Sequence, residues 1–183
     1  LEQWFFKITD YAQQLLDDLD GLDWPERVKK MQRDWIGRSE GAEFDLPVVD
    51  AEGNARAGGL ALRVFTTRPD TSFGMTYAVV APEHPIVAEL TTDDQRAEVE
   101  AFVAHVTGES ELERLSSEGP LDKRGAFTGA HAVNPFTGEQ IPVYLADYVL
   151  ATYGTGAIMA VPGQDQRDWD FAKAYDLPVV RTV

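Results

Sequence analysis

Thr128-Gly-Ala-His-Ala-Val133 and Gln140-Ile-Pro-Val-Tyr-Leu145 flank the turn Asn134-Pro-Phe-Thr-Gly138. Two short apolar runs around Asn, Pro and Gly predict a β-hairpin. Working outward, Ala157–Val161 reads as a last strand, running through Pro162-Gly163 into a helix from about Asp165 to Tyr175. Upstream, Phe44–Val49 is strand-like and Asp50–Gly59 is rich in turn residues. Leu60, Leu62 and Val64 then alternate before Thr66 and Thr67. Thr76–Ala81 reads as a buried strand. Pro82–Leu90 and Thr92–Val106 read as helical, with Ala97, Val99, Phe102, Val103 and Val106 near one stripe; Glu109–Ser117 adds a further turn or two. Short strands with inserted helices predict a mixed α/β (α+β) fold, with a β-barrel-like core and peripheral helices.

Residues 1–36 have a different texture. Leu1, Trp4, Phe5, Ile8, Tyr11, Ala12, Leu15, Leu16 and Leu19 recur at helical spacing, and Gly21 is placed to end that helix. A second, short helix opens at Pro25 and carries Val28 and Met31. Both present apolar faces that need another surface. The expected division is therefore a helical connector over 1–36 and one compact domain over 37–183. The chain starts inside a helical pattern and stops on the strand-like Val179–Val183, so it reads as a piece of a longer protein.

Composition narrows the chemistry. With no cysteine, disulfides, thiolate catalysis and thiolate metal sites are excluded. His84, His105 and His131 lie too far apart for a local zinc motif, so any metal would need carboxylates. A net charge of -15 opposes general binding of a nucleic-acid backbone, leaving room only for a local grip on one nucleotide or one end. No apolar run reaches membrane-spanning length, and a cytoplasmic location with no membrane partner is expected.

Several motifs carry two readings each. Gly37-Arg-Ser-Glu-Gly41 matches a nucleophile elbow in letters, but an elbow needs a strand before it and a helix after it. A glycine-flanked bend into a strand is the better reading. Thr66-Thr-Arg-Pro-Asp-Thr71 is either a strand-ending turn or a wall of hydroxyls and a guanidinium around a small polar ligand. Asp165 and Asp168 have N-cap and N3 spacing, so both could cap a helix. Alternatively, a carboxylate there is favoured in its ionised form and could hold an ammonium group. Gly154-Thr-Gly156 lacks the further glycine and lysine of a phosphate loop.

Taken together, TTRPDT at 66–71 and GTGAIMAVPG followed by DQRD up to Asp168 resemble the two hallmark segments of the leucyl-tRNA synthetase editing domain of bacterial type. LEQWF at 1–5, DWIGRSEG at 34–41 and APEHP at 81–85 agree with this connective-polypeptide insertion. Isoleucyl and valyl relatives share the themes but diverge after the threonines and after Gly-Ala. No HIGH or KMSKS signature is present, so the aminoacylation site is expected to lie outside this chain.

The resemblance implies hydrolysis of the ester joining a wrong amino acid, such as isoleucine or norvaline, to the 3'-terminal adenosine of tRNA(Leu). It implies that Thr71 excludes leucine and that Asp168 grips the substrate ammonium. Thr66 and Thr67 would line the scissile ester and its water. Arg68, Asp165 and Arg167 would meet the polar nucleotide end, while Leu150, Tyr153, Met159 and Val161 wall the pocket. No cofactor is implied in this domain; ATP and Mg belong to the parent enzyme's catalytic domain. The partners implied are tRNA(Leu) and the rest of the synthetase chain. Two positions depart from the family pattern: Gln164 stands for a usual histidine, and Ser72 for an apolar residue at the expected pocket edge. A binding module without useful hydrolysis, and the isoleucyl or valyl editing domain, are the alternatives.

Overall fold

A computed structural model describes residues 6–56, 58–108 and 124–182, and the chain divides into two compact units, Leu1–Glu40 and Gly41–Val183. In the first unit, a 3-10 turn leads into α1 (Ala12–Asp18), and a second 3-10 turn ends at Gly21. Helix α2 (Glu26–Ile36) starts after Pro25, runs longer than expected, and ends at Gly37 with φ 66°. Glycine enters that left-handed cap without the Cβ clash other residues meet. Arg33 pairs with Asp20 at 2.6 Å, and Ile8, Tyr11, Leu15, Met31 and Trp35 are exposed. Helix precedes and strand follows Gly37–Gly41, the reverse of a nucleophile elbow.

The second unit is built on six strands: β1 (Ala42–Val49), β2 (Ala61–Thr66), β3 (Tyr77–Val80), β4 (Gly125–Val133), β5 (Gln140–Ala146) and β6 (Ala157–Ala160). Their order is β2-β1-β4-β5-β3-β6, with β3 parallel to β5 and the other pairs antiparallel. The end strands β2 and β6 also come into contact, so the sheet curls toward closure. Helices α3 (Val87–Leu90), α4 (Arg96–Val106) and α5 (Gln166–Ala174) surround it. The mixed α/β architecture follows the expectation.

Strand β3 explains why there are two cores. All four of its residues are buried, and successive side chains point to opposite faces. Ala78 and Val80 face the main core of Leu46, Leu62, Val64, Val99, Val143 and Leu145. Tyr77 and Val79 face a second core under α5, where the Phe171 ring stacks at 5.4 Å on Tyr77 and 4.3 Å on Tyr175. Phe171 is fully buried, so Phe171→Ala is expected to cost about 3–5 kcal/mol of stability, read as a fall in the urea midpoint.

Two expectations fail. Of Pro82–Leu90 only Val87–Leu90 is helical; residues 82–86 form turns, with Ile86 N–H donating to His84 Nδ1 at 3.1 Å. Pro82 and Pro85 supply no amide donor for a helical ladder. At the C-terminal end, residues 177–182 join no strand. Apolar β-branched residues favour a strand only where a neighbouring edge can pair with them. The turn expected over Glu109–Ser117 lies outside the described residues.

Candidate functional site

The end of β2, the turn after it, the loop before β6, and the β6–α5 junction enclose a cavity of about 180 Å³. Its floor is apolar, from Ile158 and Met159 of β6 and Val161 just after it. The threonines at 66, 67 and 71 line one side. Gln164, Asp165, Arg167 and Asp168 line another, and Phe65 and Tyr153 pack edge-to-face with ring centres 6.2 Å apart.

The threonine side is a folded turn. Thr66 Oγ1 accepts the Arg68 amide at 3.0 Å, which ends the strand, and Pro69 opens a 3-10 turn over Pro69–Gly74. Proline's fixed φ suits that first position. Thr71 is buried, and its hydroxyl donates to the Arg68 carbonyl at 2.8 Å. That bond commits the side chain to one rotamer beside the cavity. Arg68 grips Asp70 through two hydrogen bonds of 2.9 and 2.8 Å, which hold the exposed Asp70 carboxyl below its ordinary range.

The opposite side is organised by the junction after β6. The Gln164 and Asp165 amides both donate to the Val161 carbonyl, closing a tight turn. Asp165 then caps α5 by accepting the amides of Arg167 at 2.8 Å and Asp168 at 3.3 Å. Burial pushes the Asp165 carboxyl up, but Arg167 and the two amides outweigh it and hold it below the ordinary range.

Asp168 behaves differently. It is only 5% exposed and turns back from α5, accepting Val161 N–H at 2.8 Å and the Tyr148 hydroxyl at 3.0 Å. Tyr77 donates to the Asp168 carbonyl at 2.8 Å. Burial raises both phenols well above their ordinary range, so they remain protonated. Burial also raises the Asp168 carboxyl to about 6, because desolvation outweighs the Val161 and Tyr148 hydrogen bonds. The expectation that a helix N-terminus keeps this acid readily ionised is therefore corrected. Its side chain accepts no amide of its own helix, and Asp165 occupies the cap. At neutral pH it remains mostly ionised, held above its ordinary range by its surroundings.

Comparison with known proteins places these elements. The sequence profile described as "Leucyl-tRNA synthetase, editing domain" matches residues 33–183. The chain belongs to the leucyl-tRNA synthetase editing-domain family. It is 53% identical over its full length to the leucine–tRNA ligase of Chlorobium limicola, covering 22% of that protein. To the leucine–tRNA ligase of Fervidobacterium nodosum it is 55% identical over 100% of this chain and 21% of the relative. An Agrobacterium radiobacter LeuRS, solved as a ternary complex with tRNA and LeuAMS, superposes with a TM-score of 0.75 at 44% identity. That comparison covers 99% of this chain and 21% of the other. The chain thus spans about a fifth of the length of the relatives it matches.

Within this editing domain, the cavity gathers every singled-out site residue except Leu150, which borders an adjoining cavity with Tyr153, Ile158 and Arg167. Gln164 lines the cavity with Thr71 and Asp168, whereas Ser72 does not. Ser72 is fully buried within the turn, its hydroxyl donating to the Pro69 carbonyl at 2.7 Å and lying 3.5 Å from the sulfur of Met159, a lining residue, so it bears on the cavity wall from behind. Gly154 and Gly156 have φ of 57° and 71° and serve a turn, with Gly156 N–H donating to the Tyr153 carbonyl. Sequence reading missed Tyr77 and Tyr148, whose letters look like ordinary core aromatics in apolar runs. Among the described residues, no three His, Asp or Glu side chains form a metal-binding group, and no helix is long and apolar enough to cross a membrane.

Proposed function

We propose that this domain hydrolyses the ester of wrongly charged tRNA(Leu) at its 3'-terminal adenosine, accepting isoleucine, norvaline and similar residues while refusing leucine. The observation that carries this reading is one small cavity with a buried acid, Asp168, on one side and the rigidly held Thr71 on another. Asp168 receives the α-ammonium group of the substrate, and Thr71 closes the space that leucine's branched end would need. Thr66 and Thr67 orient the ester and a water beside it, and the Arg68 and Arg167 pairs receive the polar nucleotide. Asp165 acts there by orienting Arg167, to which it lies 3.4 Å distant.

The logic is a double sieve: one pocket discriminates methylene-scale differences by only ~1–3 kcal/mol, so a second removes the leftovers. Aminoacyl esters are labile, and positioning of ester and water suffices without a covalent intermediate. No cofactor is needed for that step; ATP and Mg serve aminoacylation elsewhere in the parent enzyme. The relative solved with tRNA supports tRNA and the rest of a synthetase as partners, and the proposal puts their meeting in the cytoplasm. The charge of -15 supports a grip confined to the terminal nucleotide.

The test uses the full-length synthetase carrying this domain. Isoleucyl- and norvalyl-tRNA(Leu) are expected to be deacylated and leucyl-tRNA(Leu) spared. Survival of all three esters would refute hydrolysis and leave a nucleotide-binding module.

A further inference from the structure

The hairpin turn Asn134–Gly138 does more than reverse the chain. Its backbone closes on itself, with Asn134 N–H donating to the Glu139 carbonyl at 2.9 Å and Gly138 N–H to the Asn134 carbonyl at 2.8 Å. The Asn134 side chain adds a bond inside the turn, its Oδ1 accepting the Phe136 amide at 3.0 Å. It is fully buried, and its Nδ2 donates at 3.1 Å to the carbonyl of Ser72, the residue after Thr71, 62 positions away in sequence. Phe136, on the same turn, sets its ring 5.9 Å from Phe73 and 5.1 Å edge-on from Phe44. Neither Asn134 nor Phe136 lines the cavity.

We propose that this turn buttresses the Pro69–Gly74 segment from outside the cavity, making Asn134 and Phe136 positioning residues for the exclusion of leucine. The inference rests on the reading of Thr71 as the excluding residue. The segment is a single 3-10 turn whose own bonds, Thr71 to Arg68 and Ser72 to Pro69, fix its shape. Against β6 it is held by the Ser72–Met159 contact at 3.5 Å and, just past its end, by Thr76 N–H donating to the Ala160 carbonyl at 3.2 Å. The Asn134 amide and the Phe73–Phe136 contact bind it to the sheet at its far end. The Ser72 carbonyl keeps Met75 N–H at 3.2 Å when the Asn134 amide is lost, but the segment loses its tie to the hairpin, and a gate that separates isomeric side chains tolerates little movement.

The experiment places Asn134→Ala and Phe136→Ala in the full-length synthetase. Deacylation of leucyl- and isoleucyl-tRNA(Leu) is measured beside wild type and Thr71→Ala, with a thermal melt of each protein. In both buttress variants the leucyl-to-isoleucyl rate ratio is expected to rise about fivefold or more, short of the rise in Thr71→Ala. A purely structural role would lower the melting point and slow both esters together, leaving the ratio at the wild-type value; that result overturns the inference. Should Thr71→Ala itself fail to release leucyl-ester hydrolysis, the reading of Thr71 falls and this inference falls with it. Phe136 is 45% exposed, so its variant decides the matter if Asn134→Ala does not fold.

Discussion

Thr71→Ala in the full-length synthetase is expected to raise hydrolysis of leucyl-tRNA(Leu) by about tenfold to a hundredfold, with isoleucyl-tRNA(Leu) still cleaved. The residue is 2% exposed, lines the cavity, and is tied through its hydroxyl to the Arg68 carbonyl at 2.8 Å. With its rotamer committed by that bond, its volume should act as a fixed stop rather than a yielding one under the proposed reading. Alanine removes a methyl and a hydroxyl without disturbing the backbone bond from Thr71 N–H to Arg68. The turn should therefore persist while the stop disappears. In a cell, the variant would consume correctly charged tRNA, so steady-state charging with leucine should fall. Leucyl-tRNA left intact by the variant would show that exclusion is set elsewhere in the pocket.

The way Thr71 is held illustrates what the sequence discloses and what it hides. Strand positions were legible because burial alternates along them, as in β4, and because Asn134–Gly138 and Pro162-Gly163 punctuate them. The Pro82–Leu90 stretch misled, since its apolar spacing resembles a helix while two prolines remove the amides a helix needs. The adjacent TTRPDT letters fixed the turn. Its meeting with Met159 and Asp168 comes from the contact of β2 with β6, a pairing of distant segments that local letters do not encode. For the same reason Tyr148 is invisible in the sequence: its hydroxyl meets an acid twenty residues away and the Tyr77 hydroxyl at 3.5 Å. Asp168 lines the cavity, but its electrostatics differ from those its spacing suggests. A cap position suggests an easily ionised acid, but burial decides, and burial depends on the fold.

Those electrostatics give the second large effect, with two readouts of opposite sign. Asp168→Asn is expected to abolish deacylation of isoleucyl-tRNA(Leu) while leaving binding of the terminal adenosine largely intact, because an amide cannot neutralise a buried ammonium. The same change is expected to stabilise the fold above pH 6. A carboxyl raised from 3.8 to about 6 on folding favours its protonated form, so it costs the fold nothing below pH 3.8. That cost grows as pH rises through the interval and is complete above about pH 6, on the order of 3 kcal/mol. Asparagine keeps an acceptor for Val161 N–H without the charge, so its urea midpoint at pH 8 should exceed that of wild type. At pH 4 the two should converge. For wild-type kcat/KM the sign reverses: on the proposed reading the ionised acid is the form that binds the ammonium, so activity should fall as pH drops through about 6. Once the ammonium is bound it opposes protonation, so the limb in kcat should lie at lower pH. An Asp168→Asn protein that deacylates normally would remove the acid from the mechanism. One that is inactive yet less stable at pH 8 would show that the carboxylate is satisfied in place. The expected pairing, stability gained and hydrolysis lost, marks a charge kept in an unfavourable site for what it binds.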